Sequence, residues 1–138
     1  MYPEELVMPM RTELTDMGFE ELKTIDQVED LMTNKTGTTL LVINSVCGCA
    51  AGSARPGVRM ALETSAKKPD NLATVFAGVD REATTKAREY TMPFPPSSPS
   101  IALFKNGELV HFIERHHIEG RPAQVIGSHL ADVFSEFC

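Results

Sequence analysis

The sequence lacks the features that mark several common functional classes. Its 138 residues include 19 acidic but only 13 basic side chains, a net charge of −6, so no basic stripe is available for nucleic acid or an anionic membrane. No apolar run approaches the roughly 20 residues that cross a bilayer. The opening residues show neither the basic nor the apolar region of a signal peptide. We therefore expect a soluble cytoplasmic protein without nucleic-acid or membrane partners.

Cysteine is scarce and tryptophan is absent. The three cysteines, Cys47, Cys49 and Cys138, are too few and too clustered for a disulfide framework. In a reducing compartment a close pair such as Cys47 and Cys49 is typical of a catalytic or metal-binding site. Cys138 is the final residue of the sequence, where we expect an exposed bystander thiol; a resolving or dimer-linking role is the alternative.

Hydrophobic periodicity predicts a single α/β domain over residues 1–138. The strand before the cysteine pair is apolar without alternation, which is typical of a strand buried on both faces. Together with an Asn-Gly hairpin in the last third of the chain, the pattern predicts a central mixed sheet flanked by helices. A further helix precedes these elements at the N-terminus. Thr24, with Gln27, and Asp80 are the expected N-caps of two helices. The predicted helices cover 4–17, 25–36, 58–67, 81–90 and 122 onward, and the predicted strands cover 38–43, 72–79, 100–105 and 108–115.

The segment around Cys47 and Cys49 combines a buried strand, a short turn and the start of a helix. The positive end of a helix and its free N–H groups stabilise a thiolate, so this order predicts a cysteine with a lowered pKa that is nucleophilic near neutral pH. We expect Cys47 to be the more exposed thiol and Cys49 to point partly under the helix. Gly48 fits a bend that requires unusual backbone angles. The segment therefore indicates a thiol–disulfide exchange site.

The chain also resembles the thioredoxin fold. Its segment Pro99-Ser100-Ile101-Ala102-Leu103-Phe104-Lys105-Asn106-Gly107 is similar to the thioredoxin segment that begins with a cis-proline beside the active cysteines. The resemblance implies a cis peptide bond before Pro99, with the Ser98 carbonyl and the Ser100 N–H near Cys47 as substrate-binding groups. The chain departs from thioredoxin in having CxC instead of CxxC and no acid in the strand before Cys47.

A closer resemblance, over essentially the whole chain, is to the bacilliredoxin family. It rests on Cys47-Gly48-Cys49, on the Met-Tyr-Pro-Glu-Glu opening and on the Pro-Phe-Pro-Pro-Ser-Ser-Pro-Ser loop. The resemblance implies a thiol–disulfide oxidoreductase that removes bacillithiol from S-bacillithiolated cytosolic proteins, with weak disulfide isomerase or reductase activity besides. It implies those proteins, bacillithiol and a regenerating thiol or reductase as partners, and no organic cofactor.

In that reaction Cys47 is the expected nucleophile, and Cys49 or a second small thiol clears the adduct. Arg55 is expected to favour the thiolate or bind the carboxylates of bacillithiol, or else to be a solvated charge early in the helix. Two other functions stay open: a metal-binding module whose CGC pair holds a soft ion, and a redox-sensing adaptor. The histidines give no clean second ligand pair, since His116 and His117 would point apart on a strand, so we expect no metal.

Overall fold

The computed structural model describes residues 2–34 and 36–138. The strands are β1 (Glu20–Glu21), β2 (Thr38–Asn44), β3 (Asn71–Phe76), β4 (Ser100–Lys105) and β5 (Glu108–Ile113). The helices are α1 (Glu4–Thr15), α2 (Ile25–Asn34), α3 (Arg55–Thr64), α4 (Arg81–Glu89), α5 (Arg115–Ile118) and α6 (Ala123–Phe137), with a π-helical turn (Ala50–Ala54) directly before α3. Within the described ranges the strands form one sheet in the order β1-β3-β2-β4-β5. None of these helices combines the length and apolar character that crossing a bilayer requires.

Strand β2 is the centre of the core, since all seven of its residues are buried. Its side chains alternate between two hydrophobic clusters, as the pleat of a strand requires. Leu40 and Val42 belong to the cluster that includes α3 and α6, and Leu41 and Ile43 to the cluster that includes α2 and α4. The structure thus confirms the predicted strand with two buried faces and the mixed sheet with helices on both sides.

The pairing of β2 with β4 determines which loops meet. β2 is parallel to β3 and antiparallel to β4, where Ile43 pairs with Ser100. The carboxyl end of β2 and the amino end of β4 therefore lie at the same edge of the sheet. β5 is antiparallel to β4, with Ile113 paired to Ile101, so the carboxyl end of β5 reaches that edge as well. The cysteine loop, the residues before β4 and the residues after β5 meet there.

Two short sequence signals are confirmed. The Thr24 hydroxyl accepts a hydrogen bond from the Gln27 N–H, and the Gln27 side chain accepts one from the Thr24 N–H, each at 3.2 Å, which is a capping box before α2. The β4–β5 hairpin turns at Asn106 and Gly107, both with positive φ. Lys35, inside the predicted end of the second helix, lies outside the described residues.

Other element boundaries differ from the predictions. The strand predicted over 72–79 ends at Phe76, where a turn begins. The strand predicted over 108–115 ends at Ile113, and Arg115 instead begins the short helix α5. Strand β1 has no counterpart among the predicted strands, because its two glutamates have low β propensity and are strand only through their pairing with β3.

Asp80 precedes α4, as predicted, but its side chain does not cap that helix. Its carboxylate accepts hydrogen bonds from Arg11 Nη1 and Nη2, at 2.7 and 3.3 Å. Arg11 is buried, and a guanidinium removed from water requires an anionic partner. The Asp80 carboxylate therefore binds Arg11 and not the N–H groups at the start of α4, and this ion pair joins α1 to the loop before α4.

Candidate active site

Cys47 lies between the end of β2 and the first turn of a helix. This helix begins at Gly48 and continues through the π-helical turn into α3. The Cys47 carbonyl accepts hydrogen bonds from the N–H groups of Ala50 and Ala51, at 3.0 and 3.3 Å. Its own N–H donates to the Ser45 hydroxyl at 3.1 Å. The thiol is therefore held at the positive end of the helix, as the order of elements predicts.

The pKa values of the two thiols are shifted in opposite directions. The Cys49 N–H donates to the Cys47 sulfur, 3.4 Å away. Partial burial raises the pKa of Cys47, and hydrogen bonds from the thiol and N–H of Cys49 lower it. The positive charge of Arg115 and the Ala50 N–H lower it further, so the pKa of Cys47 lies below its ordinary value. The pKa of Cys49 is raised, first by burial and then by its hydrogen bond to Cys47. Cys47 is thus the more acidic thiol, and Cys49 keeps its proton.

The environments of the pair also differ in polarity. Both thiols are partly exposed and unbonded. Cys49 packs against the cluster of α3 and α6, whereas Cys47 lines a surface cavity of about 430 Å³. The cavity is lined by Tyr2, Ser45, Val46, Cys47, Ala77, Gly78, Arg88, Ser98 and Arg115.

The segment before β4 forms one wall of the cavity. The Ser98–Pro99 peptide bond is cis, as the resemblance to thioredoxin implies. Ser98 lines the cavity beside Cys47, but its carbonyl already accepts a hydrogen bond from Arg115 Nη1 at 3.2 Å. Pro99 and Ser100 are buried behind it. Of the three residues predicted here to bind substrate, only Ser98 lines the cavity.

Two arginines that line the cavity are absent from the set predicted from sequence. Arg115 lies two residues after the end of β5. The sheet topology predicts its position, because β5 is antiparallel to β4 and its carboxyl end therefore reaches the edge where Pro99 lies. Arg88 is in the last turn of α4, and nothing in the local sequence distinguishes it from the other charges of that helix.

Arg55 corrects a prediction. It is not solvated, being only 2% exposed, and its Nε forms an ion pair with Glu13. Its Nη1 donates to the Asn44 side-chain oxygen at 2.9 Å and to the Ser45 carbonyl at 3.0 Å. The guanidinium is thus bound inside the protein through Nε and Nη1, and Arg55 is not among the residues that line the Cys47 cavity. It holds the backbone between β2 and Cys47 instead.

Gly48 also differs from expectation. Its φ is not positive, and a Cβ added to it would meet no other atom within 4 Å. Neither backbone strain nor close packing requires glycine here. The residue is exposed between the two cysteines in sequence, and a side chain there would point into open space.

Cys138 is not the exposed thiol that its terminal position suggests. It is partly buried against the core, next to Thr38, and burial raises its pKa. Thr38 begins β2 and Cys47 follows its end, so the two cysteines lie at opposite ends of a strand that is about 20 Å long. Cys138 therefore cannot resolve an adduct on Cys47 of the same chain.

Among the described residues, a cluster of three potential metal donors lies outside the cysteine pair. Glu114, His116 and His117 place one ligand atom each within 4.8 Å of the others. His116 and His117 lie on α5, with ring centroids 4.0 Å apart, so the expectation that they point apart on a strand is wrong. Glu114 and His117 are already used in the capping box of α5.

Known proteins are similar to the chain over nearly its whole length. Residues 2–138 match a family model described as disulphide isomerase. A bacilliredoxin of Cytophaga hutchinsonii is 65% identical over 136 residues, which cover 99% of each chain. A bacilliredoxin of Halalkalibacterium halodurans is 56% identical over 137 residues, covering 99% of this chain and 94% of that one. A reduced thioredoxin pre-protein of Schistosoma mansoni superposes with a TM-score of 0.54 at 22% identity, covering 86% of this chain and 96% of the other.

Proposed function

The chain belongs to the bacilliredoxin family, and from that premise we propose that it removes bacillithiol from S-bacillithiolated proteins of the cytoplasm. Its relatives and its thioredoxin fold make it a thiol–disulfide oxidoreductase. The observation that carries the proposal is the hydrogen bond from the Cys49 N–H to the Cys47 sulfur. It belongs to a site that lowers the pKa of Cys47 and raises that of Cys49. Such a pair offers one nucleophile and one proton donor.

In the proposed first step the Cys47 thiolate attacks the bacillithiol sulfur of the mixed disulfide. A disulfide bond forms between Cys47 and bacillithiol, the bond to the substrate protein breaks, and its electron pair leaves on the protein sulfur. In this proposal the Cys49 thiol, which is hydrogen-bonded to Cys47 and has a raised pKa, supplies the proton for the leaving thiolate. One disulfide replaces another, so this step requires no organic cofactor, no metal and no external reductant.

The second step must free Cys47 from its adduct. Attack by Cys49 on the Cys47 sulfur releases bacillithiol as a thiolate and closes a disulfide across Gly48, which a reducing partner must then open. Attack by a second small thiol on the adduct regenerates the Cys47 thiolate directly and releases an oxidised small-thiol disulfide. The regenerating partner is accordingly a reductase or a low-molecular-weight thiol.

The test uses a single-cysteine reference protein capped with bacillithiol, and follows loss of the cap by intact mass. The wild-type protein is expected to remove the cap, and Cys47→Ala is expected to be inactive. Cys138→Ser is the matched control and should retain the wild-type rate, because that sulfur lies at the far end of β2. Uncapping at the wild-type rate by Cys47→Ala would show that the assignment of the nucleophile is wrong.

Cys49→Ala distinguishes the two ways of completing the cycle. If Cys49 resolves the adduct, this variant uncaps one equivalent of substrate and retains bacillithiol on Cys47. If a second thiol resolves it, turnover continues when free bacillithiol is supplied. Stoichiometric zinc or iron after anaerobic purification, or a stable Cys47–Cys49 disulfide without turnover, would instead indicate the metal-binding or redox-sensing function.

A further inference from the structure

Arg88 is a partly buried cation without an anionic partner among the described residues. Its Nε is buried and has no hydrogen-bond partner there, and its Nη2 makes only a long contact of 3.4 Å to the Ser97 carbonyl. The more deeply buried Arg11 and Arg55 both have carboxylate partners. Burial lowers the pKa of Arg88, but a guanidinium stays charged at neutral pH. Such a group is costly to bury and indicates a ligand that supplies the missing charge.

The position of Arg88 specifies where that ligand lies. Arg88 and Arg115 both line the cavity that contains Cys47. Among the described residues no aspartate or glutamate lines it, although acidic residues outnumber basic ones by 19 to 13 in the sequence. Arg115 does pair with Glu119, through Nε at 2.6 Å, while its Nη1 contacts the Ser98 carbonyl. The cavity volume of about 430 Å³ falls in the ordinary range of small-molecule sites, about 300–1,000 Å³.

We propose that Arg88 and Arg115 form an anion subsite that binds the carboxylates of the small thiol whose sulfur becomes joined to Cys47. The proposal rests on the proposed function and adds how the small thiol is recognised. A guanidinium binds a carboxylate through two parallel hydrogen bonds, which fixes orientation as well as charge. With its carboxylates at Arg88, the small-thiol half of a mixed disulfide occupies the cavity. The Cys47 thiolate then attacks the small-thiol sulfur, and the protein half leaves as the thiolate.

Two alkylating reagents of similar size test the subsite without any disulfide substrate. Iodoacetate is an anion and iodoacetamide is neutral, and both transfer their carbon to the Cys47 sulfur with loss of iodide. The ratio of their rates at Cys47, followed by peptide mass, reports anion binding beside the thiolate. Arg88→Gln is expected to slow iodoacetate by about tenfold or more, the size of a charge-assisted hydrogen bond, and to leave iodoacetamide nearly unchanged.

Matched variants separate local binding from net charge. Arg81→Gln removes the same charge from the same helix at an exposed position outside the cavity, and it should leave both rates unchanged. Arg88→Lys should keep part of the preference for iodoacetate because it keeps the charge. An Arg88→Gln protein in which both reagents slow equally, or in which neither rate changes, would overturn the subsite. A urea unfolding curve that matches the wild-type curve confirms that the variant is folded.

A second measurement distinguishes failure of the subsite from failure of the proposed function. The reference protein is capped with mercaptosuccinate, 2-mercaptoethanol or cysteamine, which are anionic, neutral and cationic. The wild type should remove the mercaptosuccinate cap fastest. Arg88→Gln should lose this preference for the anionic cap while still removing the neutral cap. Equal rates on all three caps would contradict the subsite but not the role of Cys47. No removal of any cap would contradict the proposed function itself.

Discussion

Arg115 donates a hydrogen bond from Nη1 to the carbonyl oxygen of Ser98, at 3.2 Å. The contact joins the first residue of α5 to the residue before the cis-proline, and it sets a positive charge at the wall of the Cys47 cavity. The same charge contributes to the lowered pKa of Cys47. Arg115 therefore acts on the thiolate through space while its hydrogen bond helps position the loop before β4.

Arg115→Gln is expected to raise the pKa of Cys47 and reduce its reaction rate at neutral pH. Because Arg115 is partly exposed, the loss should be modest, about twofold to fivefold in the iodoacetamide rate at neutral pH. The rate should recover at alkaline pH, where the thiol ionises without help. Arg121→Gln removes an exposed arginine outside the cavity and should change nothing. A loss that persists at alkaline pH would mean that Arg115 acts on geometry and not on ionisation.

The sequence predicts the features that depend on neighbouring residues and misses those that depend on residues distant in sequence. The buried strand, the capping box and the hairpin are encoded locally, by apolar runs and turn residues, and the structure confirms them. The position of Cys47 at a helix start is likewise readable from strand, turn and helix in sequence. The cation beside it requires the sheet topology as well, because Arg115 reaches Cys47 only through the pairing of β2, β4 and β5.

Buried charge is the second kind of information that local patterns do not give. Arg55 occurs among small residues at the start of a helix, where an arginine is usually solvated. Its burial depends on Glu13 of α1 and on Asn44 at the end of β2, both distant in sequence. Asp80 shows the same effect. The local sequence predicts that it caps a helix, but its carboxylate binds Arg11 instead. Such partners become visible only when the elements are packed.

Arg55→Met is expected to destabilise the protein. The change removes the charged donor of the Ser45 carbonyl and of the Asn44 side-chain oxygen, which keeps only the Ser45 N–H, so the free energy of unfolding should fall by about 1–3 kcal/mol. Urea unfolding measures the loss. Arg59→Met is the control, because Arg59 is exposed on the same helix and should change stability little. Equal losses in the two variants would show that the network of Arg55 is not the cause.

Gly57 is the glycine of α3 that tertiary packing requires. A Cβ at this position would lie 2.6 Å from Cβ and 2.7 Å from Cγ2 of Ile126 on α6. Gly57→Ala should therefore force α3 and α6 apart and lower the free energy of unfolding by about 1–3 kcal/mol. At Gly52, in the π-helical turn, an added Cβ meets nothing within 4 Å. Gly52→Ala should be neutral or stabilising in the same denaturation experiment, and a Gly57→Ala protein as stable as Gly52→Ala would contradict the close approach of the helices.

His111 and His129 should make the fold sensitive to mild acid. Their Nε2 atoms are 2.9 Å apart between β5 and α6. Burial, and secondarily the charge of a protonated His129, lowers the pKa of His111 below its ordinary value of 6.5, with Glu136 opposing and His117 adding to the effect. The unfolded chain therefore binds the proton more readily than the folded protein.

The free energy of unfolding should accordingly fall as the pH decreases through 6.5, and this contribution should level off below the lowered pKa of His111. Urea unfolding at a series of pH values between about 5 and 8, where histidine titrates, measures the slope. His111→Gln should flatten it, since glutamine keeps a hydrogen-bonding side chain but binds no proton. His116→Gln removes an exposed histidine and should keep the wild-type slope. A slope that survives in His111→Gln but disappears in His116→Gln would assign the acid sensitivity to the short helix α5 instead.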